Sequence, residues 1–161
     1  MLATLTKNED HFIAKYVREF YHPSEKVWDG ITNNGKLTKW MGHLEIVDLR
    51  KDGKILFHYN DGSGKLEEMK ITDFEAQSVI EFEWGEDRVR FEVSTRDSGG
   101  SQLILKEFIQ VLTDHTPKDL AGWQVCLMHL SNVITDEAKQ IPEDEWEKWY
   151  EEYKAVVGKF K

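Results

Sequence analysis

Residues 78–96 read SVIEFEWGEDRVRFEVSTR. Ile80, Phe82 and Trp84 alternate with Glu81 and Glu83; Val89, Phe91 and Val93 alternate with Arg88, Arg90 and Glu92. Successive side chains on a strand point to opposite faces, so each run has one apolar and one charged face. The intervening GED is hairpin chemistry, because glycine tolerates the positive φ that tight turns need. A register that sets Glu83 near Arg90 is expected on the wet face, where such a pair is worth about 0.2–1 kcal/mol. A sheet with one strongly apolar face needs a cover, and the rest of the chain has to supply it.

The pattern continues in both directions. Residues 43–49 (HLEIVDL), 54–59 (KILFHY), 65–76 (KLEEMKITDFEA) and 101–112 (SQLILKEFIQVL) read as further strands, separated by RKDG, NDGSG, AQ and DSGG. Upstream, residues 11–21 (HFIAKYVREFY) are rich in aromatic and β-branched residues, as a strand should be, and Pro23 stops them. HPSEKVWDGI then gives a helix start, with Val27, Trp28 and Ile31 at helical spacing. After TNNGK a second short helical piece ends near Trp40, and Gly42 closes it.

The cover lies at residues 119–139, DLAGWQVCLMHLSNVITDEAK. Leu120, Trp123, Leu127, Leu130 and Ile134 form one helical stripe, with Cys126 and Val133 on its flanks. Asp119 or Thr116 is the expected cap, with Pro117 in the first turn. A further helix, residues 143–160, puts Trp146, Trp149, Tyr150, Tyr153, Val157 and Phe160 on one face and Glu and Lys on the other. Pro142 marks its start. The expected architecture is α+β: a curved antiparallel meander across one long helix, with an extra terminal helix. Residues 1–161 form one domain, of which 142–161 are a C-terminal helical extension.

Composition narrows the class of function. Forty per cent hydrophobic and 12% aromatic residues indicate a folded globular chain. A net charge of −9 argues against nucleic-acid phosphates and against an anionic membrane surface. No apolar run approaches the roughly 18 residues of a membrane span, and the N-terminus does not read as a secretory signal. The single cysteine, Cys126, forms no internal disulfide, so a cytoplasmic location is expected.

Three motifs carry a resemblance to a known family. YHPSEKVWDGITNNGKLTKWMG, through Pro23, Val27, Trp28, Leu37 and Trp40, resembles a segment of the SRPBCC (START-like) superfamily. More narrowly, it resembles homologues of the activator of the ninety-kilodalton heat-shock chaperone's ATPase. DSGGSQLILKEF is similar to that family's final strand, and LAGWQVCLMHL to its Gly-Trp-x-x-x-Leu helix. Together these motifs span roughly residues 11–139. The resemblance implies the helix-grip (START/Bet v-like) fold, in which the sheet wraps the long helix and leaves an apolar cavity. The eukaryotic chaperone activators carry an additional N-terminal domain that is absent here, so chaperone activation does not follow from the resemblance. The helix after Pro142 is longer and more aromatic than the family minimum, and a cavity cap, an edge seal or an interface are its possible roles.

Catalytic and metal motifs are not supported. The histidines at 11, 22, 43, 58, 115 and 129 show no paired ligand spacing, and no cofactor is expected. Cys126 has no cation within a turn of its helix, only His129 three residues on, and reads as a small buried hydrophobe. Adjacent Glu67 and Glu68 point to opposite faces of a strand and make no acid/base pair. What remains is a set of large apolar groups. Trp28, Trp40, Phe57, Tyr59, Phe82, Trp84, Phe91, Trp123, Leu127 and Leu130 are the candidates for lining a cavity that takes a small apolar or amphipathic ligand. His58, Tyr59 and Gln124 are candidate orienting groups, although Phe57 and Tyr59 facing inward would turn His58 outward. Trp146, Trp149 and Tyr153 are the candidate surface for a chaperone partner or for self-association. An enzyme using the same cavity is the remaining alternative, resting on fold analogy alone.

Overall fold

The computed structural model describes residues 1–160. In chain order the elements are β1 (Thr4–Asn8), β2 (His11–Phe20), α1 (Ser24–Thr32), α2 (Asn34–Trp40), β3 (Leu44–Asp48), β4 (Lys54–His58), β5 (Leu66–Glu75), β6 (Val79–Trp84), β7 (Asp87–Thr95), β8 (Ser101–Ile109), α3 (Thr116–Thr135) and α4 (Glu145–Gly158). The strands make one sheet in the order β1-β2-β8-β7-β6-β5-β4-β3, with every pairing antiparallel. Bulges between Ile46 and Asp48 and between Ile71 and Asp73 help it to curve.

The apolar faces meet as the alternation requires. Leu120, Trp123, Leu127, Leu130 and Ile134 on α3 are all buried, as are Tyr16, Phe91, Val93, Leu103 and Leu105 from the centre of the sheet. Tyr16 carries a polar tip into this interior, and its hydroxyl donates to the carbonyl of Leu120 at 2.8 Å. Helices α1 and α2 close the same end of α3. A Cβ added at Gly30 would sit 3.1 Å from Ile134 Cγ1, so the glycine lets α1 approach α3 closely. Trp40 is fixed there by a 2.8 Å bond from its indole to the carbonyl of Gly30.

Three local expectations change. The hairpin after β6 has a two-residue turn, Gly85 and Glu86, with Gly85 at φ +62°. Glu83 therefore faces Arg88 and Glu81 faces Arg90, two positions away from the expected register. A shift of two leaves every side chain on its face, so the wet and dry faces survive it. Glu81 is nonetheless buried on that outer face, held by Thr72 at 2.7 Å, Arg88 at 3.2 Å and Arg90 at 3.4 Å. At α3 neither Asp119 nor Thr116 is the cap: the helix starts at Thr116, and Thr116 Oγ1 instead accepts from the Thr113 amide. Finally, β1 precedes the first expected strand. Its residues, TLTKN, place only Leu5 in the interior, so it carries no apolar alternation to read.

Helix α4 packs on α3 and ties down the N-terminal edge. Tyr153 is fully buried; its hydroxyl donates to Gln124 Oε1 at 2.5 Å and accepts from the Ala3 amide at 2.8 Å. Gln124 in turn donates to the carbonyl of Met1 at 2.9 Å. Through Tyr153 this helix fixes the segment that precedes β1, the edge strand of the sheet.

Candidate functional site

The interior between sheet and α3 divides into a closed end and an open end. At the closed end, Ile31, Leu37, Trp40, Phe82 and Phe91 surround a void of only about 10 Å³. That is room for about one water molecule, so this part of the helix-grip interior is filled by side chains. At the open end, two clefts lie on either side of Trp84 and Asp119, which line both. Trp84 is the last residue of β6 and its indole donates to Asp119 Oδ1 at 3.2 Å, joining the strand end to the first turn of α3.

The first cleft, about 370 Å³, is mainly apolar. Phe57, Trp84 and Trp123 form its wall, with ring centroids 5.8 Å apart for Phe57–Trp84 and 5.0 Å for Trp84–Trp123. Met41, at the end of α2, and Trp146, on α4, complete the sides. His43 also lines it, stacked on Phe57 at 5.0 Å, and its Nδ1 is 2.7 Å from the carbonyl of His58. A carbonyl only accepts, so Nδ1 carries the proton in that bond. Gly122 lies on the α3 side, and a Cβ built there meets nothing within 4 Å. Lys118, Asp119 and His115 give this cleft a polar rim. Cys126 lines it as well, and burial pushes its thiol up to about 12, with Asp119 adding to the shift. The thiolate is therefore disfavoured, and His129, exposed to solvent, offers it no assistance.

The second cleft, about 380 Å³, is acidic: Glu86, Asp87, Glu107 and Asp119 line it. Glu107 lies on β8 between the inward-facing Leu105 and Ile109 and is only 1% exposed. Neither of its carboxyl oxygens receives a hydrogen bond from a protein donor, and its hydrogen-bonding neighbour is another carboxyl, that of Asp119. Burial raises its pKa well above 4.5, and the hydrogen bond to the Asp119 carboxyl and the negative charges of Asp119 and Asp87 add to the effect. Asp87 is shifted up for the same first reason, although the Gln110 amide donates to it at 3.0 Å. Such displaced carboxyls in a cleft are characteristic of functional sites, and also of strained interiors.

The candidate residues therefore separate into groups. Phe57, Trp84 and Trp123 line the open apolar cleft. Trp40, Phe82 and Phe91 surround the closed void instead. Trp28, Leu127 and Leu130 are buried packing that borders neither. Tyr59 does not line the cleft: its ring packs edge-on behind Phe57 at 5.4 Å, its hydroxyl bonds Glu67, and Lys65 lies over its ring. His58 pairs with Glu45 at 3.0 Å, and Gln124 is engaged by Tyr153, so none of the three expected orienting groups lines the cleft. The three residues of the expected partner surface are placed differently from one another. Tyr153 is interior, Trp146 is a cleft wall, and half-buried Trp149 bonds Glu145 at 3.1 Å. The solvated face of α4 is charged, with Glu147, Lys148, Glu151, Glu152 and Lys154 exposed. Glu107 was the informative omission, since the alternation of SQLILKEFI puts it on the apolar side of β8.

A curved antiparallel sheet gripping a long helix, with a cleft opening between them, defines an SRPBCC-type α+β protein. The family described as "Activator of Hsp90 ATPase homolog 1-like protein" matches over residues 21–135, and the chain belongs to it. No curated protein gives a significant match. Among solved structures, a conserved protein of unknown function from Enterococcus faecalis is similar at TM-score 0.86 and 21% identity, covering 99% of this chain and 92% of that one. CalU16 from Micromonospora echinospora is similar at TM-score 0.74 and 18% identity, covering 96% and 95%. A protein from Bordetella parapertussis is similar at TM-score 0.71 and 16% identity, covering 92% and 86%. At these identities the likeness is one of fold. Among the described residues, no helix is long and apolar enough to cross a membrane.

Proposed function

We propose that this chain is a non-enzymatic binding protein for a small apolar or amphipathic molecule, working in the reducing cytoplasm where Cys126 stays a free thiol. The observation that supports it is the apolar cleft of about 370 Å³ walled by Phe57, Trp84, Trp123 and Trp146. Aromatic walls with a polar rim suit a ligand that buries one end and keeps the other hydrated. Burying roughly 300 Å² of apolar ligand surface gains about 7 kcal/mol at 25 cal/mol per Å². Lost translational and rotational freedom reduces that gain, so micromolar or weaker binding is expected for a simple apolar probe.

Gly122 supplies the test. Because a Cβ there meets only open space, Gly122→Phe fills the cleft from the helix side without displacing the core. Nile red should bind the native protein with an emission blue shift and raise its melting temperature; G122F should do neither while keeping its circular dichroism. Equal binding by the two proteins would exclude this cleft as the ligand site. Native mass spectrometry of gently purified protein should also show a co-purifying species on the native chain and not on the variant.

A further inference from the structure

We infer that the acidic cleft beyond Trp84 is the head-group subsite for the same ligand, and that it takes a primary or secondary ammonium group beside Glu107 and Asp119. This rests on the proposed apolar cleft and names the chemistry of the ligand's other end.

Three observations and one chemical rule carry it. Glu107 is 1% exposed and lines the cleft, and no protein donor reaches its oxygens, whose hydrogen-bonding neighbour is the Asp119 carboxyl. A buried acceptor left unmatched is costly, and a donor arriving from the cleft would satisfy it. Second, the charged groups facing it are overwhelmingly acidic. They are Asp87 from β7, Glu86 from the turn and Asp119 from α3, with His115 as the basic-capable neighbour and neither Lys nor Arg lining the cleft. Third, the two clefts adjoin, sharing Trp84, His115 and Asp119, so a molecule in the apolar cleft lies against the wall of the acidic one. Its apolar body would pack on the Trp84 and Trp123 rings while its head passes Asp119. Fourth, ionised carboxylates only accept hydrogen bonds, and an ammonium only donates them. A cation also offsets the mutual repulsion of Glu107, Asp119 and Asp87.

Arrival of the cation has a consequence for protons. Burial and the neighbouring Asp119 and Asp87 raise the pKa of Glu107, so the carboxyl favours its protonated form until a positive charge stands beside it. An ammonium then lowers that pKa, and the displaced proton passes to the buffer.

The experiment uses the whole chain and a matched set of probes: 2-(1-naphthyl)ethylamine, the corresponding alcohol and the corresponding carboxylic acid. Each is titrated calorimetrically in two buffers of different ionisation enthalpy, with Nile red displacement as the report on the apolar cleft. The amine should bind at least tenfold more tightly than the alcohol, with the carboxylate weakest, and should release a fraction of a proton. Glu107→Gln should remove most of the amine preference and the proton release, leaving alcohol affinity within twofold. Asp119→Asn keeps an acceptor for the Trp84 indole, serves if E107Q fails to fold, and should reduce the preference several-fold. Equal binding of amine and alcohol, tighter binding of the carboxylate, or proton release unchanged in both variants would overturn the head-group assignment while leaving the apolar cleft standing. If Nile red does not bind and no probe does, both assignments fall.

Discussion

Trp84 Nε1 donates to Asp119 Oδ1 over 3.2 Å, and this bond stands between an apolar cleft and an acidic one. It also holds Trp84 against Trp123, whose ring centroid is 5.0 Å away. Trp84→Phe removes the donor and reduces the ring contact, so it should cost about 1–2 kcal/mol in urea unfolding. The near-ultraviolet circular dichroism from the coupled indoles should fall with it. An unchanged spectrum would mean that the two rings are not held as described.

Leu130 separates core from cleft. It is fully buried and borders neither open cleft. Leu130→Ala should therefore destabilise the fold by about 2–5 kcal/mol. Affinity for Nile red, measured well below the transition, should stay within twofold. A large loss of affinity with the fold intact would put Leu130 back among the ligand contacts.

The pH dependence of stability should carry the mark of Glu107. Its folded pKa is raised above the ordinary 4.5, so the folded state holds a proton that the unfolded chain releases first. Its contribution is fully favourable below about 4.5 and is lost progressively as pH rises toward the folded value. Glu107→Gln removes this dependence, so the variant should gain stability relative to the native chain as pH climbs from 4.5 toward neutrality. Asp29 and Asp73 act in the opposite sense, their pKa values lowered first by hydrogen bonds from Lys36 and Arg90. Those contributions are present above their ordinary values, are lost as pH falls through the folded ones, and cancel in the comparison. A difference curve that is flat above 4.5 would contradict the placement of Glu107.

Cys126 should be slow to alkylate. With its thiol pushed up to about 12, only a minute fraction is thiolate at neutral pH. Iodoacetamide labelling of the native protein at pH 7 should run at least tenfold slower than in urea, and should slow further when Nile red occupies the cleft. Labelling as fast as a free thiol would show the cysteine to be activated.

The fold was legible because its signals are local. Period-2 alternation around Ile80, Phe82, Val89 and Phe91 and the α3 stripe each specify which side is inside, and the family motifs give their order. Strand β1 was not legible, since pairing with β2 rather than an apolar pattern holds it. The site was legible only by residue type. Phe57 and Phe82 look alike in sequence, and both lie toward the interior. Phe82 borders the void that α2 helps to close, whereas Phe57 lines the open cleft. That difference depends on how far each lies along the sheet from α1 and α2, which no short window of sequence contains. Trp146 shows the same limit: its helical face was foreseen, but not that the start of α4 would overhang a cleft.

Tyr153 joins Ala3 near one end of the chain to Gln124 in the middle and to α4 near the other. Peeling α4 away would therefore break three things in a single event. The Ala3 amide would lose its acceptor, Gln124 would lose its donor, and Trp146 would leave the cleft. Amide exchange at Ala3 and the escape of a bound molecule should then share one opening rate, set by this latch and not by the depth of the cleft. The terminal helix acts as a timer on occupancy as well as an anchor for the start of the chain.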